Sequence, residues 1–178
     1  MTAELTRAAQ PLPHLVGLTP LVSGNTRLLV LGSFPSVASL ARQQYYAHPQ
    51  NQFWRIFQAI WPSGRRINYL DSYQNRTDWL LEQGVGVWDV YASCEREGSL
   101  DSAIRCGQLN DLAGLRLRCP QLRAVAHNGG ESFKHARHTA ALGVPAYKLP
   151  STSPANASWS FERKLAAWRE VVEVAGLI

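Results

Sequence analysis

Apolar positions along the chain fall into two alternating kinds of run. Short, nearly continuous apolar runs bounded by Gly, Pro or Asn read as strands buried on both faces of a parallel sheet. Leu28-Leu29-Val30-Leu31, ended by Gly32, is the first, and residues 84–90, 122–128 and 144–149 are three more, the last two closed by Gly129-Gly130 and Pro150. Between and after them lie segments with helical spacing, at residues 53–60, 73–83, 109–117, 131–142 and 158–174. Pro62-Ser63-Gly64 stops the first of these, Asn110 or Asp111 caps the third, and Trp159, Leu165, Trp168 and Val172 fall near one face of the last. Strands alternating with helices predict a three-layer α/β/α fold with a mainly parallel four-stranded central sheet. Residues 1–24, carrying Pro11, Pro13 and Pro20, read as an extended lead-in, and residues 1–178 as a single domain without repeats or low-complexity linkers.

Composition narrows the class. Hydrophobic residues make up 46% and charged residues 17%, the balance of a folded chain rather than a disordered one. The net charge of +5 and pI of about 9.4 suit a polyanionic partner without requiring one. Six Trp, six Tyr and five Phe supply ring faces on which a nucleobase can stack. Cys94, Cys106 and Cys119 have no Cys-x-x-Cys spacing; they predict neither an iron–sulfur site nor a disulfide framework, but the reduced thiols of a cytoplasmic protein. The first ten residues lack the apolar stretch of a signal peptide, and no run approaches the roughly 18 apolar residues of a membrane helix.

Several chemistries have no motif in the chain. A Gly-x-x-x-x-Gly-Lys phosphate loop and a Gly-x-Ser-x-Gly elbow are both absent, and Gly84-Val85-Gly86 opens a strand instead of following one, which excludes a dinucleotide fingerprint. Glu131, His135 and His138 share a helical face at metal-like spacing but lack the His-Glu-x-x-His core. No metal or other cofactor is expected.

Ligands of parallel sheets sit outside the carboxyl ends of the strands. That rule selects the loops after Gly32, Asn128 and Leu149. The first contains Gly32-Ser33-Phe34-Pro35-Ser36 and continues to Tyr45-Tyr46-Ala47-His48-Pro49-Gln50-Asn51-Gln52-Phe53-Trp54; the last is Pro150-Ser151-Thr152-Ser153-Pro154-Ala155-Asn156. The first segment resembles the opening motif of the uracil-DNA glycosylase superfamily, with the Gly-Ser-Phe-Pro-Ser form of its hypoxanthine (deoxyinosine) branch. The last is similar to that superfamily's DNA-clamping motif. Gly86 to Asp89, Ser93-Cys94-Glu95-Arg96 and Gly98-Ser99-Leu100-Asp101-Ser102 fit the same branch, so the resemblance spans roughly residues 28–160.

The resemblance implies a monofunctional DNA glycosylase acting in base excision repair as a monomer, on double-stranded DNA first and single-stranded DNA second, with a flipped, deaminated base as substrate, hypoxanthine first among them. Such a reaction passes through an oxocarbenium-like sugar while negative charge builds on the departing base, and the base must leave the stack to be reached. Gly32, Ser33, Phe34, Tyr46, His48, Asp89 and Asn128 are the candidate base-binding residues and Asn51 the catalytic one. Tyr46 either stacks on the base or packs in the core, with Tyr45 able to take the other role. Asn51 orients water or contacts the base through its amide, and the same side chain suits a helix cap. His48 takes part or braces its loop, Asp89 reads the base or holds a loop, and Asn128 reads a base edge or makes a turn. Ser151, Thr152 and Ser153 offer hydroxyls to phosphate, Pro154 stiffens the loop, and Ala155 and Asn156 complete the DNA-binding set.

One departure matters. Relatives that excise uracil carry Asp or Asn two residues after the first motif glycine to direct water, and Phe34 stands there in this chain. This makes Asn51 the substitute and favours hypoxanthine over uracil. It also supports the competing reading of a non-catalytic nucleic-acid-binding module with the same fold.

Overall fold

The computed structural model describes residues 10–62 and 71–178; the predicted helix stop at Ser63-Gly64 and the first nine residues of the lead-in lie outside them. The chain begins with strand β1 (His14–Val16) and β2 (Leu28–Gly32), then helices α1 (Val37–Arg42), α2 (Phe53–Ile60) and α3 (Tyr73–Glu82). Strands β3 (Val85–Asp89), β4 (Tyr91–Glu95) and β5 (Arg105–Leu109) follow, then α4 (Leu115–Arg118) and β6 (Ala124–Asn128). The last part holds α5 (Gly130–Phe133), α6 (Ala136–Thr139), β7 (Ala146–Leu149) and the closing helix α7 (Phe161–Val174).

The four predicted sheet strands form one wholly parallel sheet in the order β3-β2-β6-β7. Period-two alternation gives it two apolar faces. Leu28, Val30, Val85, Val87, Ala124 and Ala126 pack with Phe53, Phe57, Trp79, Trp168 and Val172 from α2, α3 and α7. Leu29, Leu31 and Val125 pack with Leu112, Leu115, Cys119, Leu122 and Leu142 on the opposite side. This is the expected three-layer arrangement. The chain runs from β2 to β3 on one side and to β6 on the other, so the order reverses beside Gly32, where such sheets leave a crevice.

Three expectations need correction. The lead-in is not simply extended: β1 pairs antiparallel with β4, which pairs antiparallel with β5, and this second three-stranded sheet packs Tyr91 and Cys94 against Phe34. The helix predicted over residues 109–117 is not formed as such. Leu109 ends β5, Asp111 Oδ1 accepts the Gly114 N–H at 3.1 Å to make a turn, and only Leu115–Arg118 is helical. The helix predicted over residues 131–142 is divided into α5, α6 and a 3₁₀ turn at Ala140–Leu142. His127 is buried and bonded to both pieces, with its ring nitrogens 2.8 Å from Ser132 Oγ and 3.2 Å from Thr139 Oγ1. Burial lowers the pKa of this imidazole to about 4, which keeps it neutral at pH 7. Among the described residues no helix is long and apolar enough to cross a membrane.

Candidate active site

Gly32, Asp89, Asn128 and Leu149 end the four parallel strands, and the loops leaving them enclose a cavity of about 580 Å³. Every residue singled out above as a candidate site residue lines it, from Gly32 to Asn156, together with Tyr45 and Ser99 to Ser102. The volume lies within the range of small-molecule sites.

The tandem tyrosines make different contacts. Tyr45 is 5% exposed; its backbone N–H donates to Tyr73 Oη at 3.0 Å and its hydroxyl donates to the Thr19 carbonyl at 2.7 Å, which makes it a wall post. Tyr46 adopts φ +54°, the left-handed region that a bulky residue occupies only when its surroundings over-determine it. Two contacts hold it there: its ring stacks on Phe53 with centroids 4.0 Å apart, and its hydroxyl accepts from Asn128 Nδ2 at 3.1 Å.

Asn128 does more than end a strand. Besides Tyr46, its Nδ2 donates to Thr152 Oγ1 at 2.9 Å, and its Oδ1 accepts the Thr152 N–H at 2.9 Å. Both amide hydrogens are therefore committed within the protein, and the side chain ties β6 to the last loop. Thr152 departs from the expectation of a phosphate-facing hydroxyl: it is fully buried and its carbonyl also accepts the Gln52 N–H at 3.0 Å. Ser151 and Ser153 remain near the surface, where Ser151 Oγ accepts the Ser153 N–H and Ser153 Oγ accepts the Ala155 N–H, both at 3.2 Å. Pro154 and Ala155 are exposed, Asn156 Nδ2 donates to the Ser151 carbonyl at 3.1 Å, and Trp168 Nε1 fixes the base of the loop through the Pro150 carbonyl.

Asn51 Oδ1 accepts the Phe53 N–H at 3.0 Å, so the side chain turns the chain into α2 while lining the cavity. The N-cap of α2 is Gln52, so Asn51 stands one residue before it and bonds the first helical N–H from there. His48 Nδ1 accepts the Gln50 N–H at 3.2 Å, a loop brace. Phe34 is 6% exposed; its ring packs with Tyr91 and Cys94, and the Arg96 guanidinium lies over it at 5.1 Å. No water-polarising group is available at that position.

Two features escaped the sequence. Asp101 Oδ1 accepts from Ser33 Oγ at 2.6 Å, which pins the residue 99–102 segment to the cavity rim across 68 positions of chain. Arg96 is buried, donates to the Pro35 carbonyl, and has no hydrogen-bond partner for Nε and Nη1 among the described residues. The Glu131 and His135 pair considered for metal instead meets the Tyr91 hydroxyl, at 2.9 and 2.7 Å. Among the described residues no group of three or more His, Cys, Asp or Glu side chains could hold a metal ion.

Known proteins share this architecture. The family model of the uracil DNA glycosylase superfamily matches residues 19–172. A hypoxanthine DNA glycosylase of Methanosarcina barkeri is 34% identical over 154 residues, covering 86% of this chain and 95% of that protein. A hypoxanthine DNA glycosylase of Methanosarcina acetivorans is 35% identical over 156 residues, covering 87% and 96%. A solution NMR structure of a candidate uracil DNA glycosylase from Methanosarcina acetivorans superposes with a TM-score of 0.80 at 32% identity, over 92% of this chain and 99% of that one. The chain belongs to the uracil DNA glycosylase superfamily and is a DNA glycosylase.

Proposed function

We propose that this enzyme hydrolyses the N-glycosidic bond of hypoxanthine extruded from duplex DNA, as a monofunctional glycosylase working as a monomer. The observation that carries the reading is the cavity at the strand ends, where a tyrosine ring, polar side chains and a serine-bearing loop converge. The names of the two Methanosarcina relatives support hypoxanthine as the base, and so does Phe34, which leaves the water-directing position of uracil-excising relatives without a polar group. Among the described residues no lysine lines the cavity, which speaks for monofunctional rather than lyase chemistry. The decisive experiment incubates the protein with duplexes bearing one hypoxanthine, uracil or xanthine and then cleaves abasic sites with alkali. Scission at hypoxanthine supports the reading; binding without scission at any base refutes it in favour of a non-catalytic DNA-binding module.

The hydroxyls of Ser151 and Ser153 each accept a backbone N–H, which leaves their protons for phosphate oxygens. Ser153→Ala should weaken binding about tenfold whatever base is present, because a hydrogen bond to a charged group contributes about 1.5 kcal/mol and a phosphate carries no sequence information. Equal affinities of variant and parent, measured by fluorescence anisotropy at moderate salt, would remove Ser153 from the interface.

A purine leaving the stack opens a gap that an apolar side chain can fill. Ala155 is small for this, whereas Leu100, which also lines the cavity, is 59% exposed. Leu100→Ala should slow hypoxanthine release from duplex about tenfold, the worth of about 1.5 kcal/mol of leucine burial, and leave release from single-stranded DNA unchanged. An equal loss on both substrates would show that Leu100 does not act as the wedge.

A further inference from the structure

Asp89 is the buried carboxyl group for which the cavity supplies no partner. It is 4% exposed, and its Oδ2 is enclosed without a hydrogen bond among the described residues. Its other oxygen occupies the space that a side chain at residue 32 would take: a Cβ added to Gly32 would fall 2.4 Å from Asp89 Oδ1. Gly32 and Asp89 are register partners at the ends of β2 and β3 and both line the cavity, and Oδ1 is the oxygen that lies beside Gly32. The glycine is therefore what lets the carboxyl group reach the cavity floor.

A carboxylate enclosed without donors is costly, and protonation removes the cost. The ionisable groups around it among the described residues are Asp101 from the rim, Arg96 beyond β4, Tyr45 and Tyr46 from the wall, and Tyr73 from α3. Burial first and the negative charge of Asp101 second push Asp89 up to about 7, against a partial opposing pull from Arg96. The two wall tyrosines are held above their usual range by burial and stay neutral. A carboxyl group kept neutral by its surroundings can donate a hydrogen bond or a proton near pH 7.

We infer that Asp89, as the neutral acid, donates to the extruded purine and protonates it as the bond to the sugar breaks. This rests on the proposed hypoxanthine activity. The C1′–N9 bond breaks with its electron pair passing to the purine, and the Asp89 proton moves to a purine acceptor, N7 or O6. Hypoxanthine then leaves neutral instead of as an anion beside Asp101. A water forms the new C1′–O bond and releases a proton to solvent, and the Asp89 carboxylate takes one back from solvent, so one water is consumed per turnover. The division of labour follows from position: Asn51 works on the water and Asp89 on the leaving group.

The test is single-turnover release of hypoxanthine from a duplex by the parent and by Asp89→Asn, between about pH 5.5 and 8.5. Asparagine keeps the shape of the side chain and has no acidic proton. The parent rate should be level on the acid side and fall about tenfold per pH unit above neutrality. Asp89→Asn should be about 100-fold slower at pH 6 and level throughout, with unchanged affinity for an abasic product duplex. A parent rate without that alkaline fall overturns the inference and depends on no variant. So does an Asp89→Asn rate within about threefold of the parent at pH 6. A parent that releases no hypoxanthine at any pH overturns the proposed function and this inference with it; an active parent matched by its variant overturns this inference alone.

Discussion

Asn51→Ala is expected to slow single-turnover release of hypoxanthine about 100-fold or more, the loss typical of a positioned polar group at a centre where charge develops. The amide lines the cavity after the aromatic block, and Phe34 leaves the alternative water-directing position apolar. The same substitution also removes the acceptor for the Phe53 N–H, a cap worth about 1 kcal/mol, so the variant should melt a few degrees earlier. A second exchange separates the two effects. Asn51→Ser keeps a short capping oxygen but loses the amide, so it should recover most of the melting temperature and little of the rate. Single-turnover conditions are needed because slow product release would otherwise mask the chemical step. An Asn51→Ala enzyme that melts early yet excises at the parent rate would leave Asn51 a cap only and turn attention to His48.

The largest structural effect belongs to Asn128. Asn128→Ala removes three hydrogen bonds at once and strands the buried Thr152 N–H and hydroxyl. Unsatisfied buried groups cost about 1–3 kcal/mol each, so a total loss on the order of 2–4 kcal/mol is expected. For a chain of this size that lowers Tm by roughly 5–15 °C. Affinity for an abasic duplex should fall as well, because the loop bearing Ser151 and Ser153 loses its tie to β6. A variant that melts within about 2 °C of the parent and binds such a duplex equally well would show that the loop is held by Trp168 and Gln52 alone.

What could be read from the chain and what could not divide on physical grounds. The parallel strands announce themselves because both their faces are buried, as in Leu28–Gly32, where every residue is enclosed. The cavity loops were legible because Gly, Pro and Asn punctuate those strand ends. The antiparallel sheet was not, since all five residues of Arg105–Leu109 are exposed and leave no alternation to detect. Helix α1 had its signal in Ser36, whose side chain caps the Ser39 N–H, but the six-residue helix is too short to show a period. Asp101 and the double duty of Thr152 were invisible because their partners, Ser33 and Asn128, lie 68 and 24 residues away. Tyr45 and Tyr46 are chemically identical neighbours; only the left-handed backbone at Tyr46 turns one toward Phe53 and Asn128 while the other is bonded into the wall.

The packing around Phe34 bears on how such enzymes diverge. A single exchange to the Asp or Asn found in uracil-excising relatives would put an acceptor directly under the Arg96 guanidinium, whose Nε and Nη1 are buried and have no hydrogen-bond partner among the described residues. The newcomer would be captured by that cation before it could direct a water, and the apolar contacts with Tyr91 and Cys94 would be lost as well. A polar exchange at residue 34 should therefore have a different effect when residue 96 keeps its charge than when it has lost it.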